Sequence, residues 1–367
     1  MASNFSNQRT KNPKTRRRKP SRQQRARQID RSVWLFVLLV RASICGLGAS
    51  AIAGTAMSIV NPPKAPLSID IAPPPKPLPI PIDNLQQTTA SIELTDRLQA
   101  AIKTKLKLDP SYIFVNSDSG EYSQLGADRV LPAASTIKLP ILIALFQDVD
   151  LGKVKLSEQL TIDQKSIVGG SGDLQEQKPG TQVSILVAAT KAIAISDNTA
   201  TNLLIRRLGG ASALNQRFRN WGLQMTAINR PLPDLEGKNV TTARELARLM
   251  RSIDPTTQQS PSSKIVSDAA RTQMLNMMSN TYRNTMLPQG LGAGAKIAHK
   301  TGDIGSLIAD VGSIELPSGK KYIAAVLVNR PYNDPTGPEL VRTMSKIAYE
   351  YFRTPTPKIS PGVPKRE

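Results

Sequence analysis

The sequence predicts an α/β sandwich whose sheet draws on both ends of one globular domain, carried behind an N-terminal transmembrane helix. Three observations point there: a long apolar stretch near the N-terminus, extended apolar runs at both ends of the region from Ile92 to Phe352, and helical periodicity between them. At 367 residues, with 40% hydrophobic but only 4% aromatic content, the chain is long enough for a full core.

Residues 1–31 hold eleven Lys or Arg against Asp30 alone, half of a formal net charge of +20. With almost no large apolar side chains to offset the entropy of ordering, they are expected to form a disordered arm. Ser32–Val60 is apolar or small throughout except for Arg41. At ~1.5 Å per residue such a helix crosses a bilayer core, and the roughly 2.5–3.5 kcal/mol cost of one central Arg is outweighed by the surrounding Leu, Val, Ile and Phe. The basic arm before this span places residues 1–31 in the cytoplasm and everything after Val60 outside. Two other readings stay open: a signal peptide cleaved after the small residues near Ala49–Ala56, and a nucleic-acid-binding arm. The anchor is preferred, and no nucleic-acid partner is expected. Residues 61–89 form a linker in which nine prolines fall between Asn61 and Asp83. They favour polyproline II, an extended spacer with a reach of ~70 Å. A second disordered end is expected over residues 354–367.

In the domain itself, residues 90–353, Tyr112–Val115 reads as a strand, with a turn at Asp118–Gly120 before a second extended run. Leu139–Phe146 reads as a buried helix starting near Ala134 and kinked slightly by Pro140. Val183–Ile195, Ala200–Leu208 and Thr242–Ser252 follow as helices. Two strands, Ile308–Leu316 and Tyr322–Val328, are joined by the turn Pro317–Lys320. Leu340, Val341, Met344, Ile347, Ala348 and Tyr351 then space themselves along one face of a closing helix.

Composition excludes several chemistries. With one cysteine, Cys45, and one histidine, His299, there is no intramolecular disulfide and no zinc site of several Cys and His ligands. No cofactor and no metal are expected.

Three short motifs carry what chemistry remains. In Ser135-Thr-Ile-Lys138 a helical i, i+3 spacing sets a Lys amine beside a Ser hydroxyl, so a neutral lysine can act as base, while a helix N-terminus offers N–H groups to an oxyanion. Ser135 also fits an ordinary helix N-cap. The same pattern recurs in Ser318-Gly-Lys-Lys321, in a polar turn where nothing would activate it. Ser196-Asp197-Asn198 lies between two apolar helices and equally reads as a cap. Lys300-Thr301-Gly302, just before the strand pair, equally reads as a turn with a bulge glycine. The order and spacing of all three together are what chance does not account for.

On these residues the sequence resembles the class A β-lactamase and penicillin-binding protein superfamily over roughly residues 90–352. The resemblance implies an antiparallel sheet flanked by helices plus an all-helical subdomain, with the active site between them. It implies Ser135 as acylated nucleophile, Lys138 as its proton acceptor, Ser196 as proton relay to the leaving nitrogen and Asn198 as holder of the substrate amide. Lys300 would supply positive potential and Thr301, beside Gly302, would bind the substrate carboxylate. Backbone N–H groups of Ser135 and Asp303 would form the oxyanion hole. Arg283 is a further candidate carboxylate partner, and His299 reads as a packed strand residue rather than a base.

One departure separates the family's two activities. Class A β-lactamases carry Arg-x-Glu-Pro-x-Leu-Asn between the second and third motifs, with its Glu activating the deacylating water. The matching stretch here is Arg230-Pro231-Leu232-Pro233-Asp234-Leu235-Glu236. Leu232 stands at the Glu position and Glu236 at the Asn position, and leucine takes no proton from water. This resembles the penicillin-binding protein A group, cyanobacterial D,D-peptidases built on a class A lactamase fold. The expected activity is that of a membrane-anchored D-alanyl-D-alanine carboxypeptidase acting on peptidoglycan stem peptides and acylated by β-lactams, its catalytic domain periplasmic. The alternatives are a β-lactamase using Glu236 as a displaced base, and a weakly catalytic penicillin-binding sensor or wall-binding module.

Overall fold

A computed structural model of the chain describes residues 88–254 and 264–354. The basic arm, the transmembrane anchor, the proline-rich linker before Thr88 and the tail after Thr354 lie outside the described residues. Among those described, no helix is long and apolar enough to cross a membrane.

The domain opens with helix α1 (Ile92–Lys103), started by the Ser91 hydroxyl accepting from the Leu94 N–H at 3.2 Å. Strands β1 (Asp109–Asn116) and β2 (Tyr122–Leu125) form the first hairpin, and the short β3 (Leu131–Pro132) leads to a 3₁₀ turn, Ala134–Ile137. Helix α2 (Lys138–Asp150) follows, buried on nearly all sides. After the β4 (Gln159–Thr161) and β5 (Gln182–Ser184) pair come α3 (Ile185–Ala194), α4 (Asn198–Arg207) and α5 (Gly210–Asn220). Strand β6 (Val240–Thr241) pairs with β3 and precedes α6 (Ala243–Ile253) and α7 (Asp268–Ser279). The chain closes with β7 (Lys296–Asp303), β8 (Leu307–Glu315), β9 (Lys321–Asn329) and α8 (Thr336–Arg353).

Both ends of the domain do feed one sheet. Five antiparallel strands run in the order β2-β1-β9-β8-β7, with Ile113 opposite Ala325 and Lys300 opposite Val311. The period-2 alternation of side chains gives the sheet two apolar faces. Tyr112, Phe114, Tyr322, Ala324 and Val326 pack with Leu94 and Leu98 of α1 and Leu340, Val341 and Met344 of α8. Ile113, Val115, Val311, Ile323 and Ala325 join the larger core that includes the apolar residues of α2 to α7. This is the sheet plus helical subdomain that the family resemblance implied.

The structure corrects three local expectations. The helix expected from Ala134 is 3₁₀ for its first four residues and α-helical only from Lys138, so Pro140 falls in the first turn, where its missing N–H has no intrahelical carbonyl to lose. The helix expected from Val183 begins at Ile185, because Val183 pairs with Leu160 in the β4–β5 ladder and Ser184 caps the helix. Lys300-Thr301-Gly302 is neither a turn nor a preface to the strands: it lies in β7, the edge strand of the sheet. Helices α1, α5 and α7 add to the elements anticipated.

Candidate active site

The nucleophile position is built by a strained turn. Ala134 has φ +45°, a left-handed conformation uncommon for a residue with a Cβ, immediately before Ser135. The turn is held from behind by the Ala133 N–H donating to the Asn239 carbonyl at 2.7 Å. Because α2 starts at Lys138, the lysine projects from the first position of a buried helix, three residues after the serine, as the motif spacing required.

Lys138 is 1% exposed, and its Nζ lies 3.2 Å from Ser135 Oγ, 3.0 Å from Ser196 Oγ, 2.6 Å from the Ser196 carbonyl and 2.9 Å from Asn198 Oδ1. Two of these four partners, the carbonyl oxygens, can only accept. A neutral amine has two N–H groups to give them, which leaves its lone pair for the Ser135 or Ser196 hydroxyl. Burial, with the charges of Lys300 and Arg283, drives Lys138 well below the ordinary lysine range, against the opposing pull of Asp197. The arrangement therefore favours the form that can accept the serine proton.

Ser196 sits past the end of α3 at φ +60°. Its Oγ lies between the two lysines, 3.0 Å from Lys138 Nζ and 3.2 Å from Lys300 Nζ. Asp197 does cap a helix: one carboxylate oxygen accepts from the Ala200 N–H at 2.7 Å, while the other takes the N–H groups of Asp173 and Leu174 at 2.9 and 2.8 Å. The loop so tied down, Gly169-Gly-Ser-Gly172, passes so close that a Cβ on Gly172 would fall 2.2 Å from Asp197 Cγ. Asn198 Oδ1 accepts from Lys138, and its Nδ2 donates to the Gly169 carbonyl at 3.1 Å.

Strand β7 closes the other side. Lys300 is 1% exposed and donates to the Thr301 carbonyl at 2.8 Å; burial, opposed by Asp310 and reinforced by Arg283, lowers it to about 7. Gly302 lets the strand approach the nucleophile turn, since a Cβ there would lie 2.9 Å from Ala134 Cβ and 3.0 Å from Ser135 N. Asp303 stands at the mouth, its carboxylate held by Arg330 at 2.7 Å and by the Gly305 N–H at 2.8 Å.

Ser135, Ser196, Thr301, Gly302, Asp303 and an exposed Arg283 line a cleft, whereas Lys138, Asn198 and Lys300 are buried and do not line it. Ser171, Thr285 and Met286 also line it and were not anticipated; for Ser171 the glycine-rich run around it was the available signal. Leu232 and Glu236 do not line it. Leu232 is buried, its backbone clamped in both directions by the Asn202 amide at 3.0 and 2.7 Å. Glu236 points to solvent and pairs with Arg230 at 2.8 Å. His299 is packed in β7 as expected, and among the described residues no cluster of three His, Cys, Asp or Glu side chains could hold a metal ion.

A buried lysine and two serines between a helical subdomain and a sheet edge define a serine hydrolase of the class A β-lactamase and penicillin-binding type. The chain belongs to the Beta-lactamase enzyme family, whose model matches residues 93–352. The solved structure of PBP-A is 47% identical, with a TM-score of 0.68 over 72% of this chain and 97% of that one. A leucine-to-glutamate mutant of PBP-A, solved as an acyl-enzyme complex with penicillin G, matches equally. A β-lactamase from Sphaerobacter thermophilus is 25% identical, with a TM-score of 0.61 over 70% of this chain and 96% of that one. The extended-spectrum β-lactamase PER-1 of Pseudomonas aeruginosa is 24% identical over 248 residues, covering 63% of this chain and 78% of the relative.

Proposed function

We propose that this protein is a serine D,D-peptidase that cleaves the terminal D-alanine from peptidoglycan stem peptides and is acylated, without rapid release, by β-lactams. The observation that carries the reading is that, among the described residues, no free carboxylate lines the cleft to activate a deacylating water. The one carboxylate among the lining residues, Asp303, is tied to Arg330 and Gly305; Glu236 is tied to Arg230; and Leu232 is apolar where lactamases carry glutamate. A β-lactam keeps its leaving amine tethered in the site after ring opening, so its acyl-enzyme depends on an activated water. A cleaved D-alanine diffuses away and leaves room for one.

The geometry supports a definite sequence of proton movements. Lys138 takes the Ser135 proton as Oγ attacks the amide carbonyl, and the N–H groups of Ser135 and Asp303 hold the oxyanion. Ser196 passes its proton to the leaving nitrogen as the C–N bond breaks and is reprotonated by Lys138, 3.0 Å away, after which water hydrolyses the Ser135 ester. Lys300, Thr301 and Arg283 meet the terminal carboxylate, and Asn198 orients the substrate amide while holding Lys138.

The proposed location is the plasma membrane, with residues 32–60 as a single-pass anchor, the N-terminus cytoplasmic and the domain periplasmic. Residues 61–89 would hold the domain towards a wall that lies away from the bilayer. Beyond residue 60 the chain keeps 36 Lys and Arg against 27 Asp and Glu, a net of +9 that suits a polyanionic wall polymer. D-alanine release from a D-Ala-D-Ala peptide, lost in Ser135→Ala, is the expected result. Rapid penicillin hydrolysis without D-alanine release supports the β-lactamase instead, and acylation with neither turnover supports a sensor.

A further inference from the structure

The three-motif site leaves the molecule's only histidine unused. His299 is 1% exposed and directly precedes Lys300, but it faces a different set of groups. Its Nδ1 lies 2.9 Å from Asp310 Oδ1, and its Nε2 lies 2.7 Å from Thr281 Oγ1 and 3.1 Å from Asn284 Oδ1. The second oxygen of Asp310 accepts from the Leu287 N–H at 3.1 Å. Gly312, opposite His299 in the ladder, makes room: a Cβ there would lie 2.9 Å from the histidine Cβ.

Thr281, Asn284 and Leu287 belong to one segment between α7 and β7, and the residues among them include Arg283, Thr285 and Met286 of the cleft wall. The Tyr282 N–H bonded to the Ala194 carbonyl at 3.0 Å and Arg342 donating to the Thr285 carbonyl at 3.0 Å tie the segment through its backbone. Met286 and Leu287 are packed into the apolar core, and His299 holds the polar side chains of Thr281 and Asn284. Arg283 itself is exposed, yet its charge acts on both active-site lysines.

We propose that His299 and Asp310 form a clamp on residues 281–287 that aims Arg283 into the cleft, making His299 a positioning residue for selection of carboxylate-bearing ligands. The inference rests on the reading of Arg283 as a carboxylate partner. It assigns His299 no part in the proton transfers at Ser135.

The test compares acylation of Ser135 by penicillin G and by its methyl ester, which differ at the carboxylate alone. His299→Asn, and separately Asn284→Ala at an exposed position, should slow acylation by the acid about tenfold while changing the ester rate less than about twofold. In a double-mutant cycle, His299→Asn added to Arg283→Ala should cost nothing further, because the clamp acts through the arginine. Equal loss with acid and ester, or additive effects in the cycle, overturns the clamp. Wild-type acylation and D-alanine release test the earlier reading separately, so failure of the one is distinguishable from failure of the other.

Discussion

The charge on Lys138 decides whether the serine can be activated, and the site settles it by burying two lysines near one hydroxyl. Both are desolvated, and the charge of Lys300 further destabilises the Lys138 ammonium. Lys138→Ala removes the base, so acylation by penicillin should fall by about 10²–10⁴-fold, measured as loss of label at Ser135 under conditions where the fold is retained. The pH dependence has a definite sign. Lys300, lowered to about 7, is cationic below that pH and loses its charge above it. Affinity of the free enzyme for a carboxylate-bearing peptide should therefore weaken as pH rises from 6 to 8, seen as a rising KM. Loss of the Lys138 proton acts in the opposite direction, making the base available as pH rises, so kcat/KM should follow a bell whose limbs belong to the coupled pair. These side chains were legible in the sequence because chemistry at fixed spacing survives without structure. Their environment was not: Ser135-Thr-Ile-Lys138 and Ser318-Gly-Lys-Lys321 fit the same pattern, but the first runs into a buried helix and the second is a hairpin turn whose Lys321 pairs with Glu315.

At the scale of elements, the site is the meeting of a turn, a helix start and a sheet edge. The 3₁₀ turn at Ala134–Ile137 presents Ser135, α2 presents Lys138, the α3–α4 junction presents Ser196 and Asn198, and β7 closes against them at Gly302. Gly302→Ala should push β7 from the turn, because its Cβ would meet Ala134 Cβ at 2.9 Å and Ser135 N at 3.0 Å. Loss of one aligned oxyanion donor costs about 10²–10³-fold, and that is the expected fall in the acylation rate, measured with penicillin by stopped flow. An unchanged rate would mean that the strand and turn need not approach so closely. The left-handed Ala134 was not legible, since alanine has no local preference for that conformation and the surrounding packing imposes it. Strand β7 was legible only at His299, and its Lys300-Thr301-Gly302 end read as a turn for a related reason. Its run Lys296-Ile-Ala-His-Lys-Thr-Gly spends His299, Lys300 and Thr301 on buried polar contacts, so the apolar alternation that marks β8 and β9 is absent.

Over the whole domain, the sheet's two apolar faces separate a thin layer of α1 and α8 from the larger helical core, and the cleft opens where that core meets the β7 edge. Participation of both ends of the domain in the sheet was legible from the apolar runs at residues 112–115, 308–316 and 322–328. The strand order, which inserts β9 between β1 and β8, was not, because no local signal encodes pairing across two hundred residues. Long-range placement also decides the functional question. Leu232 was legible as a missing glutamate, but only the fold shows its backbone locked by Asn202 and Glu236 turned to Arg230. The lifetime of the penicilloyl group on Ser135 tests that account most directly, followed with labelled penicillin in the wild-type chain and in Leu232→Glu. The label should persist on the wild type and be lost faster in the variant. Rapid loss from the wild type, with hydrolysed penicillin accumulating, would contradict it.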